Sequence, residues 1–157
     1  MTYDDDDDDD IPPLRRPGDT RPLRTQHDLY QHWRSLMGRL GFSHPSLWIL
    51  FIAADRKVTS ILTQIEDLAA CPDAELLVHL MRLSGRLLRS DVFGGSVAFL
   101  VSRPGPAQVT ESDRAWACGL IEAAADADVR IEPVHLANNE DLRVFAPDDL
   151  INSAWRR

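Results

Sequence analysis

The sequence lacks an apolar stretch long enough to cross a membrane. Its longest apolar runs, Leu47–Ala54 and Val97–Val101, are about as long as a β-strand, whereas a membrane-spanning helix needs about 20 apolar residues. The chain also begins with acidic residues, while a secretory signal begins with a basic segment followed by an apolar one. We therefore expect a cytoplasmic protein with no membrane partner.

Cysteine is scarce as well. Cys71 and Cys118 are too few and too widely spaced for a zinc motif or a disulfide framework. In a reducing cytoplasm we expect both side chains to be free thiols.

The motifs of several common enzyme classes are also missing. The chain contains no glycine-rich phosphate loop, no dinucleotide fingerprint and no Gly-x-Ser-x-Gly nucleophile turn. Its histidines form neither a His-x-His pair nor a His-Glu-x-x-His motif, the spacings that bring two imidazoles to one metal ion. These histidines are His27, His32, His44, His79 and His135. The sequence therefore predicts no cofactor, no metal ligand and no catalytic residue.

The net charge of −8 belongs to one short segment. The run Asp4–Asp10 supplies seven of the 25 acidic residues, so the remaining 18 face 17 basic residues. The rest of the chain is therefore nearly neutral, and a nucleic-acid partner is not expected. Adjacent like charges and several prolines predict that residues 1–24 form a disordered tail. This tail is interpreted as a solubilising leader, with a docking arm for a basic partner or weak divalent-ion binding as alternatives.

Residues 25–157 have the pattern of a single α/β domain. Capping boxes at Thr25–Asp28 and Thr110–Asp113 and an N-cap at Asp73 predict three helix starts. The first helix is predicted to end at Gly41, the second to cover residues 74–89, and a last helical turn after Pro147 to carry Trp155. The predicted strands are Leu47–Ala53, Val58–Ile65, Ser96–Ser102, Val129–Leu136 and Leu142–Phe145. These elements predict one mixed sheet flanked by helices.

Few side chains stand out as site candidates. Most acidic residues near predicted helices, including Asp113, lie at helix starts, where free backbone N–H groups already explain them. Among the five histidines, His135 stands out as a site candidate, because it lies within a predicted strand between Val134 and Leu136. As a helix cap alone, Asp113 is expected to contribute less stability than Thr110.

The segment from Ser96 to Phe145 resembles the JAB/MPN family, specifically its RadC-like branch. That family has a strand ending in His-x-His-Pro, a Gly/Pro-rich loop, a Ser-x-x-Asp helix start and a later strand with a histidine. The corresponding residues in this chain are Val101-Ser102-Arg103-Pro104, Gly105-Pro106, Thr110-Glu111-Ser112-Asp113 and Val134-His135-Leu136. The resemblance implies a JAB/MPN-like or cytidine-deaminase-like three-layer fold.

The chain departs from the family at the metal site. The places of the two zinc-binding histidines are taken by Val101 and Arg103, and Leu47–Ala53 lacks a counterpart of the catalytic glutamate. The resemblance therefore leaves Asp113 as a single carboxylate, and catalytic zinc needs about three protein ligands. The candidates for a degenerate site or an interaction loop are Arg103, Thr110, Asp113 and His135.

These observations favour a non-catalytic protein-interaction module with a protein partner, and they fix no oligomeric state. The resemblance implies its specific form, a metal-free JAB/RadC-like pseudoenzyme. Two alternatives stay open: an unrecognised hydrolase that uses the loop of residues 103–113, and an accessory factor in DNA metabolism. A deep pocket with converging polar groups at this loop would favour the enzyme, and a shallow surface would favour binding.

Overall fold

The computed structural model describes residues 11–150, which form one mixed five-stranded sheet with helices on both faces. The strand order is β2-β1-β3-β4-β5, and only β3 and β4 run parallel to each other. The strands are β1 (Ser46–Ile52), β2 (Val58–Glu66), β3 (Ser96–Ser102), β4 (His135–Ala137) and β5 (Leu142–Val144). This arrangement confirms the predicted α/β class with a single mixed sheet. Its assignment to a JAB/MPN-like or deaminase-like arrangement stays a prediction.

The helices cover the two faces of the sheet unequally. On one face, α1 packs Leu29 and Trp33 against Leu100. On the other face, α2 and α3 pack residues such as Leu120 against Phe99. The helices are α1 (Gln26–Met37), α2 (Ala74–Leu88), α3 (Glu111–Asp126) and the short α4 (Pro147–Leu150). Because every residue of β3 is buried, the side chains on its two faces contribute to the cores on both sides of the sheet.

The helix starts are those that the local sequence predicts. Thr25 and Thr110 each accept a hydrogen bond from the backbone of the third helical residue, and that residue's carboxylate accepts one in return. Asp73 accepts from the Glu75 backbone at 3.1 Å and begins α2. These interactions satisfy N–H groups that a helix leaves unpaired at its first turn.

Two predicted boundaries are wrong. α1 ends at Met37 and not before Gly41, because Gly38 adopts φ +60° and ψ −135°, a conformation open to glycine that stops the helix. The predicted strand Val129–Leu136 is reduced to β4 and a single bridge between Ile131 and Val97. Pro133 lies between these two pairings and has no backbone N–H to continue the ladder.

The packed part of the chain reaches back to Leu23. This side chain is buried in the α1 core, and its backbone N–H donates to the Arg56 carbonyl at 2.8 Å. A 3₁₀ turn at Pro17–Asp19 precedes it. The domain boundary at residue 25 stays a prediction, and Asp4–Asp10 and Trp155 lie outside the described residues. No helix within residues 11–150 is both long and apolar enough to span a bilayer.

Candidate functional site

The strongest polar contact in the candidate loop joins Arg103, directly after β3, to Asp113, in the first turn of α3. Arg103 Nε lies 2.8 Å from Asp113 Oδ1 and 3.0 Å from Oδ2, and Arg103 Nη2 lies 2.8 Å from Oδ2. Both side chains are largely buried, with 12% and 2% of their surface exposed. Two-point pairing of this kind fixes orientation as well as charge.

The remaining donors of Arg103 bind the loop that surrounds it. Nη1 donates to the carbonyls of Pro104 and Pro106 at 3.1 and 3.0 Å, and Nη2 donates to the Gln108 carbonyl at 2.9 Å. All five N–H bonds of the guanidinium therefore have acceptors within the protein. Gly105 permits this wrapping, because its φ is +103° and a Cβ there would lie 3.3 Å from Arg103 Nη1.

Asp113 also caps the helix that carries it. Its Oδ2 accepts from the Thr110 backbone N–H at 2.9 Å, and its own N–H donates to Thr110 Oγ1 at 3.1 Å. The carboxylate therefore accepts from one backbone N–H and from two nitrogens of Arg103. One buried negative charge completes a helix cap and balances a buried positive charge.

The hairpin turn between β4 and β5 supports the loop from outside. The Arg103 backbone N–H donates to Ala137 at 3.0 Å, and the Asn139 N–H donates to Gly105 at 3.1 Å. Glu140 Oε2 accepts from the Ala107 N–H at 2.7 Å. These bonds tie the backbone of the loop to β4 and to the turn that follows it.

The residues at this loop do not fit the zinc ion that the JAB/MPN resemblance implies. Val101 offers no ligand atom, Arg103 brings a positive charge, and the Asp113 oxygens already accept from N–H groups. Within residues 11–150, no group of three or more His, Cys, Asp or Glu side chains is placed to hold a metal ion. The loop therefore places a guanidinium next to Asp113, the carboxylate that the resemblance leaves as a ligand.

A pocket of about 300 Å³ lies beside this loop, and its polar groups are engaged in the fold. Ser112 Oγ donates to the Ala70 carbonyl at 2.6 Å, and Trp116 Nε1 donates to the Ala69 carbonyl at 2.8 Å. The other lining residues are Pro45, Leu68, Val101, Arg103, Pro104 and Asp113. Among these residues no side chain is arranged as a nucleophile with a neighbouring base.

His135 lies on the opposite face of the sheet from Asp113. It pairs with Leu100, whose side chain packs in the α1 core, while the neighbouring Leu136 packs with α3. The imidazole is fully buried, and its Nδ1 lies 3.0 Å from the Pro133 carbonyl. Burial lowers the pKa of His135 to about 4. The structure thus brings together Arg103, Thr110 and Asp113 and separates His135 from them.

A second polar cluster was not predicted from the sequence. Glu132 accepts from Arg56 and, at 2.7 Å, from Ser96 Oγ, while Arg56 Nε donates to the Leu23 carbonyl at 2.9 Å. Burial alone would raise the pKa of Glu132, but the hydrogen bonds and charge of Arg56 and the bond from Ser96 lower it overall. The cluster ties the backbone at Leu23 to the sheet. The sequence signal that could have indicated this cluster is Glu132, a charged residue directly before Pro133 in a predicted strand.

An apolar groove between α2 and α3 was also not predicted. It has a volume of about 510 Å³ and is bordered by Arg82 on α2 and by Glu122 and Asp126 on α3. The helices approach closely at Gly119, where a Cβ would lie 3.0 Å from Leu77 Cδ1. The remaining lining residues are Ala74, Leu77, Val78, Met81, Ala123 and Ala127. The small residues at 119, 123 and 127, spaced four apart, are the signal that could have found this groove.

No protein-family model matches the chain, and no curated protein sequence is significantly similar to it. The likeness to the JAB/MPN family therefore rests on the motifs quoted above.

Proposed function

We propose that this protein is a non-catalytic protein-interaction module. The observation that carries the proposal is the complete engagement of Arg103 and Asp113 within the loop of residues 103–113. An active site needs polar groups that are free to bind substrate, and this pocket uses its polar groups to hold its own walls. The guanidinium beside Asp113 also supports the metal-free pseudoenzyme that the JAB/RadC-like resemblance implies, because it supplies a positive charge without a metal ion.

The groove between α2 and α3 is the proposed docking surface. Its floor is formed by apolar or small side chains, and Val78 on its margin is 48% exposed. A groove of this width between two helices suits the apolar face of a third helix, with anchors spaced three and four residues apart.

The charges at the groove select the kind of helix. Glu122 and Asp126 lie one turn apart along the same margin, while Arg82 stands alone on the other. The partner proposed is therefore an amphipathic helix that places two basic residues against Glu122 and Asp126 and one acidic residue near Arg82. Rim charges of this kind govern partner choice and association rate more than affinity.

Site-specific photocross-linking in the native cell tests this proposal. A photoreactive amino acid at position 78 is expected to give one dominant adduct, whose cross-linked peptide mass spectrometry identifies as an amphipathic segment with basic residues. The matched control is the same amino acid at Leu83, which is 56% exposed on α2 but does not line the groove. No adduct from position 78, or equal labelling from both positions, would overturn the docking surface.

Ser112→Ala tests the absence of catalysis. Ser112 is the hydroxyl-bearing residue that lines the pocket beside the loop. We expect the wild-type chain to show no turnover of ester, amide or isopeptide substrates above the Ser112→Ala background. A turnover that disappears in Ser112→Ala while the variant keeps its melting temperature would show the alternative, a hydrolase that uses this loop.

A further inference from the structure

The helices α2 and α3 run in the same direction on one face of the sheet, where both pack against the same core. β2 and β3 each pair antiparallel with β1, and β4 pairs parallel with β3, so α2 and α3 each connect two strands that point the same way. Gly119 of α3 lies level with Leu77 of α2, because a Cβ at Gly119 would be 3.0 Å from Leu77 Cδ1. Positions equally far beyond these two residues therefore lie level as well.

The exposed surfaces of these two helices carry opposite charges. On α2, Arg82 and Arg86 lie one turn apart. On α3, Glu122 and Asp126 lie one turn apart. All four side chains are exposed, and within residues 11–150 none of them forms a salt bridge. Val78, one turn before Arg82, is 48% exposed. The apolar groove therefore has one basic and one acidic margin.

We propose that a second copy of this chain covers the groove, with a two-fold axis parallel to α2 and α3, so this inference rests on the docking role proposed above. Such an axis places α2 of each copy over α3 of the other, at the same height and in the same direction. Arg82 lies five residues beyond Leu77 along α2. It therefore meets the second copy five residues beyond Gly119, midway between Glu122 and Asp126. Two-fold symmetry makes this ionic contact twice.

The shapes of the two surfaces match in the same arrangement. Val78 lies one residue beyond Leu77, so it meets the second copy one residue beyond Gly119. At that height Gly119 and Ala123 line the groove and leave room for a larger side chain. The half-exposed valine of each copy thus enters the apolar groove of the other, as a knob on one helix fits a hole on its neighbour.

The charges also select this axis over the alternative one. A two-fold axis across the helices would place α2 against α2 and α3 against α3, which brings like charges together in both contacts. With the axis parallel to the helices, both contacts join unlike charges. Because every chain carries both margins, a second copy satisfies the surface without any other protein. Where the chain is scarcer than the dissociation constant of the dimer, the groove stays open to the partner helix.

Sedimentation velocity of the full chain tests this dimer. From about 1 to 300 μM we expect a reversible shift from 17.7 kDa to twice that mass, with a micromolar dissociation constant. Val78→Glu places a negative charge beside Glu122 of the second copy and should raise the dissociation constant at least about 30-fold. Leu83→Glu, the same charge at an exposed leucine of α2 that does not line the groove, should leave it unaltered. A monomer at every concentration, or equal effects of the two variants, overturns the proposal.

Photocross-linking of the purified chain locates the contact. A photoreactive amino acid at position 78 is introduced into an equal mixture of unlabelled and heavy-isotope-labelled chains. We expect adducts that join the two kinds of chain and that map to residues 119–123 of the second copy. Adducts on α2 of the second copy would show an axis across the helices and contradict the proposed arrangement. Adducts within single chains alone would contradict the dimer.

Charge exchange tests whether α2 faces α3. Arg82→Glu should raise the dissociation constant about tenfold, and so should Glu122→Lys combined with Asp126→Lys. A chain with all three changes restores unlike charges and should return to within about threefold of wild type. Lys57→Glu, in the exposed turn between β1 and β2, controls for the change in net charge. A three-change chain as weak as the product of the separate effects would show that these side chains do not face each other.

The dimer and the proposed function can fail separately. A monomeric chain that still gives the partner adduct from position 78 in the cell would overturn the dimer and leave the docking surface intact. A purified dimer whose position 78 gives no partner adduct in the cell would support the dimer and overturn the proposed partner.

Discussion

Arg103 and Asp113 form a buried two-point ion pair, with Nε 2.8 Å from Oδ1 and Nη2 2.8 Å from Oδ2. The pair joins the end of β3 to the start of α3 and closes the eight-residue segment Arg103–Thr110 between them. Because the same guanidinium binds three loop carbonyls, the ion pair holds both the loop and the helix start.

Removing one partner of this pair is expected to destabilise the fold strongly. Arg103→Ala leaves Asp113 buried without its counter-charge and should cost about 3–5 kcal/mol in the free energy of unfolding. A double-mutant cycle uses Arg103→Met and Asp113→Asn. The double variant removes both charges, and it should lose clearly less free energy of unfolding than the sum of the losses of Arg103→Met alone and Asp113→Asn alone. Urea denaturation measures all four proteins of this cycle. Additive losses would mean that the two side chains do not interact.

The order of two cap variants separates a plain helix cap from an ion-paired one. The sequence alone predicts that Asp113→Ala is milder than Thr110→Ala, but the structure reverses this expectation because Asp113 also balances Arg103. Thr110→Ala should cost about 0.5–2 kcal/mol. Asp113→Ala should exceed it, since it leaves a buried guanidinium unpaired. Chemical denaturation of both variants shows which one loses more free energy of unfolding. Thr25→Ala, which removes the N-cap side chain of the exposed capping box of α1, is the matched control.

His135 should make the fold less stable as the solution becomes acidic. Burial lowers its pKa to about 4, below the usual value of about 6.5 in an unfolded chain. Between these values the unfolded chain binds more protons, so the contribution of His135 is complete above about pH 6.5 and falls towards pH 4, by at most about 3 kcal/mol.

His135→Asn tests that pH dependence. Asn can still donate to the Pro133 carbonyl but does not titrate, so stability should change less between pH 6.5 and 4 than in wild type. His79→Asn, at an exposed position on α2, should keep the wild-type slope. Parallel stability curves for wild type and His135→Asn would show that His135 is accessible to protons in the folded chain.

Glu132 should hold the backbone around Leu23 against the sheet. Glu132→Gln removes the charge that Arg56 and Ser96 surround and should cost about 1 kcal/mol, because the pair is partly exposed. The pKa of Glu132 is lowered in the folded chain, so the wild-type advantage should be present above about pH 4.5 and disappear as the pH falls. Amide hydrogen exchange at Leu23, whose N–H donates to the Arg56 carbonyl, reports the release of this part of the backbone. Unchanged protection at Leu23 would contradict this role.

Zinc content is a direct check on the chemistry of the loop. Since both carboxylate oxygens of Asp113 accept hydrogen bonds from Arg103, we expect far less than one zinc ion per purified chain. Elemental analysis after purification without added metal measures this. About one zinc per chain would contradict both the structural role of Arg103 and the pseudoenzyme proposal.

The sequence by itself determined the features that depend on near neighbours. Thr25–Asp28 and Thr110–Asp113 are readable as capping boxes because both hydrogen bonds span three residues. The continuous apolar run Val97–Val101 is readable as part of a strand covered on both faces because each of its faces is apolar. The order of these elements was then sufficient to predict a mixed sheet flanked by helices.

Only the tertiary structure decided which distant groups meet. The sequence places Arg103, Asp113 and His135 near the same motif, but alternation along β4 sends His135 to the α1 face, away from α3. The groove at Gly119 and the terminal position of β2 in the sheet depend on how whole elements pack against each other. Local hydrogen bonds and periodicity are written in consecutive residues, whereas the face of a strand and the neighbours of a helix are set by the assembled sheet.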